Sequence, residues 1–409
     1  MGFNIFKSTV LLFVLTLISC ANASKSKALA LDVNVANLIN TDTIVSAGAN
    51  QLKHYLPLLK GKRIGIVANQ TSVIFKNQEY THLVDSLLAL KLSVKKVFTP
   101  EHGFRGTADA GELVNDSNDN KTGLPLISLH GKNKKPTPNQ LKDIDIIVFD
   151  IQDVGVRFYT YVSTLHYVME ACAEANIPLI VLDRPNPNGH YIDGPVLNIK
   201  NKSFVGMHPV PIVYGMTIGE YAKMINGEKW LKNNVECKLT IIPITHYNRK
   251  TAYHLPIKPS PNLPNDKSIN LYPSLCFFEG TNVSVGRGTD KQFQIYGSPF
   301  IISDTTHYKF TPRPNKGAKH PKHENKICSG FNLSNTPPSN KICLNYLINA
   351  YNLTLNKTDF FNKFFIKLSG TKELQKQIKA GLHENEIKKT WKNGLDSFKI
   401  TRKKYLIYN

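Results

Sequence analysis

Asp143 to Gly189 reads DIDIIVFDIQDVGVRFYTYVSTLHYVMEACAEANIPLIVLDRPNPNG. Ile146 to Phe149 form a short unbroken apolar run, as expected of a strand covered on both faces. The run ends in a carboxylate, Asp150, with a second, Asp153, three residues on. Gly155, Arg157, Tyr159 and Tyr161 follow, and then Leu165, Val168, Met169 and Cys172 repeat at helical spacing. A second apolar run, Ile177 to Leu182, closes on Asp183-Arg184-Pro185-Asn186-Pro187-Asn188. The pattern is strand, loop, helix, strand, with polar residues crowding the carboxyl ends of both strands. Ligands of open parallel sheets bind at those ends, so the stretch predicts an enzyme whose site is built there.

Working outward, Gly48 to Leu59 suggest a short helix, and Lys62 to Ala68 a first strand that ends at Asn69-Gln70-Thr71-Ser72. Thr81 to Leu90 have helical spacing, and Val94 to Phe98 read as a strand ending at Thr99-Pro100-Glu101-His102-Gly103. Thr107 to Thr122 are polar, without apolar period, and long enough for a functional loop, a candidate cavity wall. Leu126 to Leu129 and Leu239 to Ile242 suggest further strands. Thr217-Ile218-Gly219-Glu220 reads as a capping box opening a helix that runs to Gly227. This alternation predicts a doubly wound α/β domain over residues 48–245. Beyond it, five prolines between Pro256 and Pro273 argue against long regular elements. Leu344 to Leu382 have helical periodicity, and Lys404 to Tyr408 suggest a final strand.

At 409 residues, two domains are the prior. The first 19 residues read as a signal peptide: Lys7 supplies the positive region, and Val10 to Ile18 are too short for a spanning helix. Leu17-Ile18-Ser19-Cys20 resembles a bacterial lipobox, with Cys20 as the lipidated residue and a tether to about residue 47; cleavage after Ala23 is the alternative. Either route predicts the cell envelope or periplasm. The other five cysteines show no CxxC spacing, so no zinc site or disulfide framework is indicated, although Cys328 and Cys343 are candidates to pair. The formal charge of +21 invites a nucleic-acid reading. From Lys309 to Asn409 there are 20 Lys or Arg against 6 Asp or Glu, but no recognition motif accompanies them, so nucleic acid is not an expected partner.

The candidate chemistry gathers at strand ends. Glu101 can serve as general acid or base, with His102 orienting it or touching substrate; a loop salt bridge is the plainer alternative. Of Asp150 and Asp153, one is a candidate for chemistry while the other fixes Arg157; capping is the alternative for either. Asp183-Arg184 is a substrate anchor or a structural turn. Glu279-Gly280-Thr281-Asn282 with Gly286-Arg287-Gly288 lacks the signatures of a nucleotide loop, but Arg287 suits a carboxylate. Tyr159, Tyr161 and Phe104 suit stacking on sugar faces, with core packing the plainer reading for at least one of them. No HExxH or other ligand spacing points to a metal, and no cofactor is expected. There is no GxSxG elbow for an esterase.

Taken together, VANQTS, TPEHGFRG, DIQDVGVRFYTY, DRPNPNG and FEGTNVSVGRGTD resemble the exo-β-N-acetylmuramidases of bacterial cell-wall recycling, from about Leu52 to Tyr408. The resemblance implies a Rossmann-like N-terminal domain, a smaller C-terminal α/β domain (246–409) and a cleft between them. It also implies release of N-acetylmuramic acid from the non-reducing end of peptidoglycan-derived glycans. Glycoside hydrolysis commonly needs two carboxyl groups. Glu101 is then the first choice for acid/base, Asp150 or Asp153 the partner, and Glu279 the reserve; an N-acetyl sugar can also supply its own acetamide as nucleophile. Arg157 or Arg287 is the candidate receiver of the lactyl carboxylate, and Asn186 and Asn282 of acetamide or hydroxyls, with Asn69 at the first strand end. The Lys-rich segment Thr311 to Lys341 departs from the family pattern and is expected to alter the cleft rim. A non-catalytic glycan-binding protein is the alternative.

Overall fold

The computed structural model describes residues 44–76, 79–106, 112, 115–302 and 308–409. The expected signal peptide, Cys20 and most of the tether lie outside them, as does much of the loop 107–122.

A single 3₁₀ turn at Gly48–Asn50 and α1 (Leu52–Leu59) lead into β1 (Ile64–Ala68). An antiparallel pair, β2 (Val73–Lys76) and β3 (Glu79–His82), precedes α2 (Leu83–Ala89) and β4 (Val94–Thr99). Then come the two-residue β5 (Ser117–Asn118), β6 (Pro125–Ser128) and α3 (Pro138–Leu141). The quoted stretch folds as β7 (Ile146–Asp150), α4 (Tyr161–Glu174) and β8 (Leu179–Leu182). The α5 helix (Ile218–Gly227) and β9 (Leu239–Ile242) complete the first half.

The large sheet has the order β5-β6-β4-β1-β7-β8-β9. Every pairing in it is parallel except the β5 edge, which runs antiparallel to β6. The chain steps from β1 to β4 to β6, then returns to the other side of β1 with β7, β8 and β9. That reversal is the switch point of a doubly wound, Rossmann-like sheet. All five residues of β7 are buried because β1 and β8 flank it and both sheet faces are covered. One face is covered by a core that includes Tyr55, Leu59, Leu83 and Leu87. The opposite face, under α4 and α5, shares a continuous core with the C-terminal half, through Phe277, Leu347 and Phe398. Ile44–Asn409 therefore fold as one unit.

The C-terminal half begins with α6 (Asp266–Leu275), which runs into a 3₁₀ turn at Cys276–Gly280. A three-stranded antiparallel sheet, in the order β10 (Ile295–Ser298), β12 (Cys328–Asn332), β11 (Tyr308–Phe310), stands beside it. Five helices follow: α7 (Asn345–Leu353), α8 (Phe364–Ser369), α9 (Glu373–Lys379), α10 (Glu384–Lys389) and α11 (Lys392–Lys403).

Three expectations need correction. Pro273 does not exclude a helix, for it sits inside α6. A proline frees the carbonyl four residues earlier, and Asn188 Nδ2 donates to that carbonyl, Ile269 O, at 3.4 Å. Lys404 to Tyr408 form no strand. The backbone N–H groups of Ile407 and Tyr408 donate instead to Glu220, so a side chain takes the place of a ladder. Cys328 and Cys343 are both free thiols, one in β12 and one just before α7.

Candidate active site

The carboxyl ends of β4 and β6 and the start of α4 open on a cavity of about 830 Å³, whose other wall comes from the C-terminal half. Its lining includes Glu101 and His102 after β4, His130 after β6, and Tyr159 to Tyr161 at the start of α4. The turn presenting Glu101 passes through two successive left-handed residues, His102 (φ 72) and Gly103 (φ 71). Backbone of that kind in a residue with a Cβ costs energy and gathers at functional sites. Thr160 is the N-cap residue of α4, yet its side chain makes no capping bond. Its hydroxyl donates to Glu101 Oε2 at 2.8 Å, which fixes the orientation of the carboxyl at the wall. A local rule of helix starts is broken here in favour of the site.

Tyr159 and Tyr161 meet edge to face, with ring centroids 4.8 Å apart. Both hydroxyls donate to the carbonyl of Pro259, at 2.8 and 3.3 Å, and so bind the start of α4 to the proline-rich stretch that leads into α6. Burial raises both phenols, so they remain neutral donors at physiological pH. Asn69 lies just beneath: its Nδ2 donates to Tyr161 Oη at 2.9 Å, and its Oδ1 accepts from Thr71.

On the C-terminal wall, Arg287 Nε donates to Glu279 Oε1 at 2.6 Å, and the guanidinium stands 5.1 Å from the centre of the Phe293 ring. Lys322 lies beside them and donates to the carbonyls of Phe278, Thr281 and Val283 at 3.0, 2.6 and 3.0 Å. Burial pushes its ammonium down to about 8. Gly317 to Lys322 all line the cavity, which puts part of the Lys-rich segment in the site itself.

Six of the residues singled out from the sequence thus share the cavity: Glu101, His102, Tyr159, Tyr161, Glu279 and Arg287. The structure does not bring the others to its wall. Asp150 is fully buried and paired with Arg184, whose Nε and Nη2 donate to it at 2.6 and 2.9 Å. Asp153 receives the Gly155 N–H at 2.6 Å and the Tyr214 hydroxyl, and burial raises its carboxyl to about 6. Arg157 is also fully buried; it donates to the carbonyls of Pro195, Val210, Leu368 and Ser369, a clamp between the two halves rather than a carboxylate receiver.

Asp183 accepts from Thr217 Oγ1, Gly219 N and Tyr408 Oη at 2.7, 2.8 and 2.7 Å, and burial raises its carboxyl to about 7. Asn186 holds the loop after β8, accepting from Asn188 N and donating to Met216 O. Gly155 (φ +75) must be glycine for this, since a Cβ there would lie 2.2 Å from the Asn186 amide. Asn186 faces a separate recess, and Asn282 lies behind the wall, where its carbonyl accepts from His323 Nε2 at 2.6 Å. Asn262, Lys322 and His130 line the cavity and were missed. Asn262 is in the proline-rich stretch and Lys322 in the atypical lysine-rich one, where no periodicity singles out a residue.

Comparisons agree with this architecture. A family model described as exo-beta-N-acetylmuramidase NamZ, N-terminal, matches residues 64–267, and its C-terminal counterpart matches 270–408. A peptidoglycan beta-N-acetylmuramidase NamZ of Bacillus subtilis is 40% identical over 385 residues, covering 87% of this chain and 89% of that protein. Two crystal structures of DUF1343 family proteins from Bacteroides fragilis are similar. One has a TM-score of 0.82 at 48% identity, over 90% of this chain and 99% of that one. The other has a TM-score of 0.76 at 28% identity, over 90% and 100%. The chain belongs to the NamZ family of exo-β-N-acetylmuramidases.

Proposed function

We infer that this protein is a glycoside hydrolase that removes terminal, non-reducing N-acetylmuramic acid from peptidoglycan fragments. The observation that carries the reading is that Glu101, at the end of β4, and Glu279, in the opposite half, share one sugar-sized cavity with an aromatic wall. Glu101 is the general acid: it gives its proton to the leaving glycosidic oxygen, and as a carboxylate it takes one from the water that completes hydrolysis. Thr160 keeps it oriented for both steps. Glu279, ion-paired to Arg287, supplies negative charge from the facing wall as the oxocarbenium-like transition state develops. The sugar's own acetamide can act as nucleophile, and in that case one acid/base carboxyl suffices. Arg287, which donates to Glu279 through Nε alone, is the group we assign to the lactyl carboxylate.

We place the enzyme in the cell envelope, attached through Cys20 if the Leu17-Ile18-Ser19-Cys20 motif is processed as a lipobox. Mass spectrometry of the membrane fraction tests that: a mature chain beginning at Cys20 with acyl mass supports it, and one beginning at Ser24 overturns it. For the activity, purified protein is incubated with the MurNAc–GlcNAc disaccharide and the free sugars are separated. Equimolar release of both sugars is expected. No release alongside an active relative overturns the reading.

A further inference from the structure

The loop that carries Glu279 is tied down from outside itself. Every carbonyl from Phe278 to Val283 accepts a hydrogen bond, and three of the six converge on one ammonium. Lys322 Nζ donates to Phe278 O, Thr281 O and Val283 O at 3.0, 2.6 and 3.0 Å. His323 Nε2 donates to Asn282 O at 2.6 Å. Asn362 donates from its backbone N to Gly280 O at 2.9 Å and from Nδ2 to Glu279 O at 3.5 Å. Carbonyl oxygens turned toward one point repel each other, and no neutral side chain offers three N–H donors. A lysine ammonium brings a unit charge and three N–H groups, one for each oxygen.

The same segment is set against both partners of the ion pair at the cavity wall. Glu279 lies inside the loop that Lys322 gathers, and its Oε1 accepts from Arg287 Nε at 2.6 Å. Gly288 (φ +79) follows Arg287, and a Cβ there would stand 2.7 Å from Pro321 Cβ, so Pro321 packs on the turn that presents the guanidinium. From the same Lys-rich segment, Arg313 N donates to Gly288 O at 2.8 Å. Glu279 and Arg287 are the charged groups that face the ammonium. With its three N–H groups taken by backbone, Lys322 has none left for a substrate carboxylate, although it lines the cavity. It acts on the protein and not on the sugar.

We propose that Lys322 is a positioning residue of the hydrolase: its ammonium holds the carbonyls of Phe278, Thr281 and Val283 together and so sets Glu279 against Arg287 before substrate arrives. The assignment rests on the glycosidase reading and deepens it by naming what fixes the charge on the facing wall. Without the ammonium three carbonyls lose a donor at once and the loop relaxes. An acid displaced by about 1 Å can cost about 100-fold in rate. Rings of carbonyl oxygens hold small cations in ion channels, so the space opened by truncating Lys322 is one that an added cation can fill.

The test measures sugar release from the MurNAc–GlcNAc disaccharide by wild type, Lys322→Ala and Lys322→Met, at about pH 6, where an ammonium that titrates at about 8 is charged. Both variants are expected to lose about 10- to 100-fold in kcat/KM. Methylammonium added to Lys322→Ala should restore kcat/KM by at least about tenfold, and saturably. Tetramethylammonium, which has the charge but no N–H, should restore nothing. Lys322→Met keeps the volume of the stem without the charge, so it should stay low in either salt. A role in packing alone gives the opposite pattern. If Lys322→Met works at close to the wild-type rate, or folded Lys322→Ala is not restored by methylammonium, the proposal is overturned. Melting temperatures identify the folded variants, and Lys322→Met carries the test if Lys322→Ala does not fold. Failure of the glycosidase reading looks different, since wild type would then release no sugar.

Discussion

β4 and β7 flank β1 in one parallel sheet, and each delivers an acid at its carboxyl end, yet the two acids meet different fates. Asp150, the last residue of β7, is closed off by Arg184 from the end of the next strand. Glu101, two residues past β4, stands at the cavity wall with the Thr160 hydroxyl on one oxygen. The difference lies in what the neighbouring strand supplies. β8 continues into an arginine that reaches back, so the carboxylate of β7 becomes part of the framework. The turn after β4 is bent by two left-handed residues, and its acid faces the cavity. Position at a strand end makes an acid available, and its neighbours decide whether it meets substrate.

Substitutions can break that contrast. The largest effect is expected from Glu101→Gln, which should lower kcat by about 10²- to 10⁴-fold, as loss of a general acid does, with product binding and melting temperature nearly unchanged. A variant that keeps most of its turnover would remove Glu101 from the chemistry. Next comes Asp150→Ala, which leaves Arg184 buried without its counterion and should cost about 3–5 kcal/mol in urea unfolding. Its folded fraction should turn over at close to the wild-type rate. A large loss of kcat at an unchanged unfolding midpoint would instead make β7's acid catalytic and erase the distinction.

Asp153 sharpens the comparison through pH. It is fully surrounded, one of its oxygens has no donor among the described residues, and its carboxyl is raised from 3.8 to about 6. The folded state therefore holds this proton more tightly than the unfolded chain does. The associated stability is complete below about 4 and is lost as pH rises through about 6, with a slope of up to about 1.4 kcal/mol per pH unit. Unfolding at pH 4.5 and pH 7 should show that decline in wild type, with buried Asp183, raised to about 7, adding to it, and Asp153→Asn should make it shallower without abolishing it. An equally steep decline in the variant would mean that other groups set the slope. The smallest effect is expected at Thr217, whose hydroxyl caps α5 and also donates to Asp183. Thr217→Ala should cost about 1 kcal/mol with kcat unchanged. A loss several times larger would mean that the end of β8 depends on this hydroxyl far more than a cap does.

The centre of the parallel sheet was legible because burial on both faces writes itself as unbroken apolar runs, as at Ile146 to Phe149 and Leu179 to Leu182, while β4 and β9, with Lys95, Lys96 and Thr240 in them, are mixed and only partly buried. The capping box at Thr217 was legible for a similar reason, as both of its partners lie within one turn. The C-terminal tail was not, because YLIY reads as a short apolar strand while its backbone donors go to a glutamate nearly two hundred residues away. The same limit applied to the site. Glu101 and Asp150 are alike in local sequence, and only the distant partner of each distinguishes them. Lys322 gave no signal, since its significance comes from the carbonyls of Phe278, Thr281 and Val283, 39 to 44 residues earlier in the chain.

The boundary between the two family models, residues 267 to 270, falls inside α6, which runs unbroken from Asp266 to Leu275. A gene split there would cut a helix in two and strand Asn188 without its Ile269 carbonyl. Because the two halves share one continuous core, neither fragment is expected to fold by itself or to pass between proteins as a cassette. The seam is a boundary of description, while inheritance must treat the two halves as a single indivisible piece.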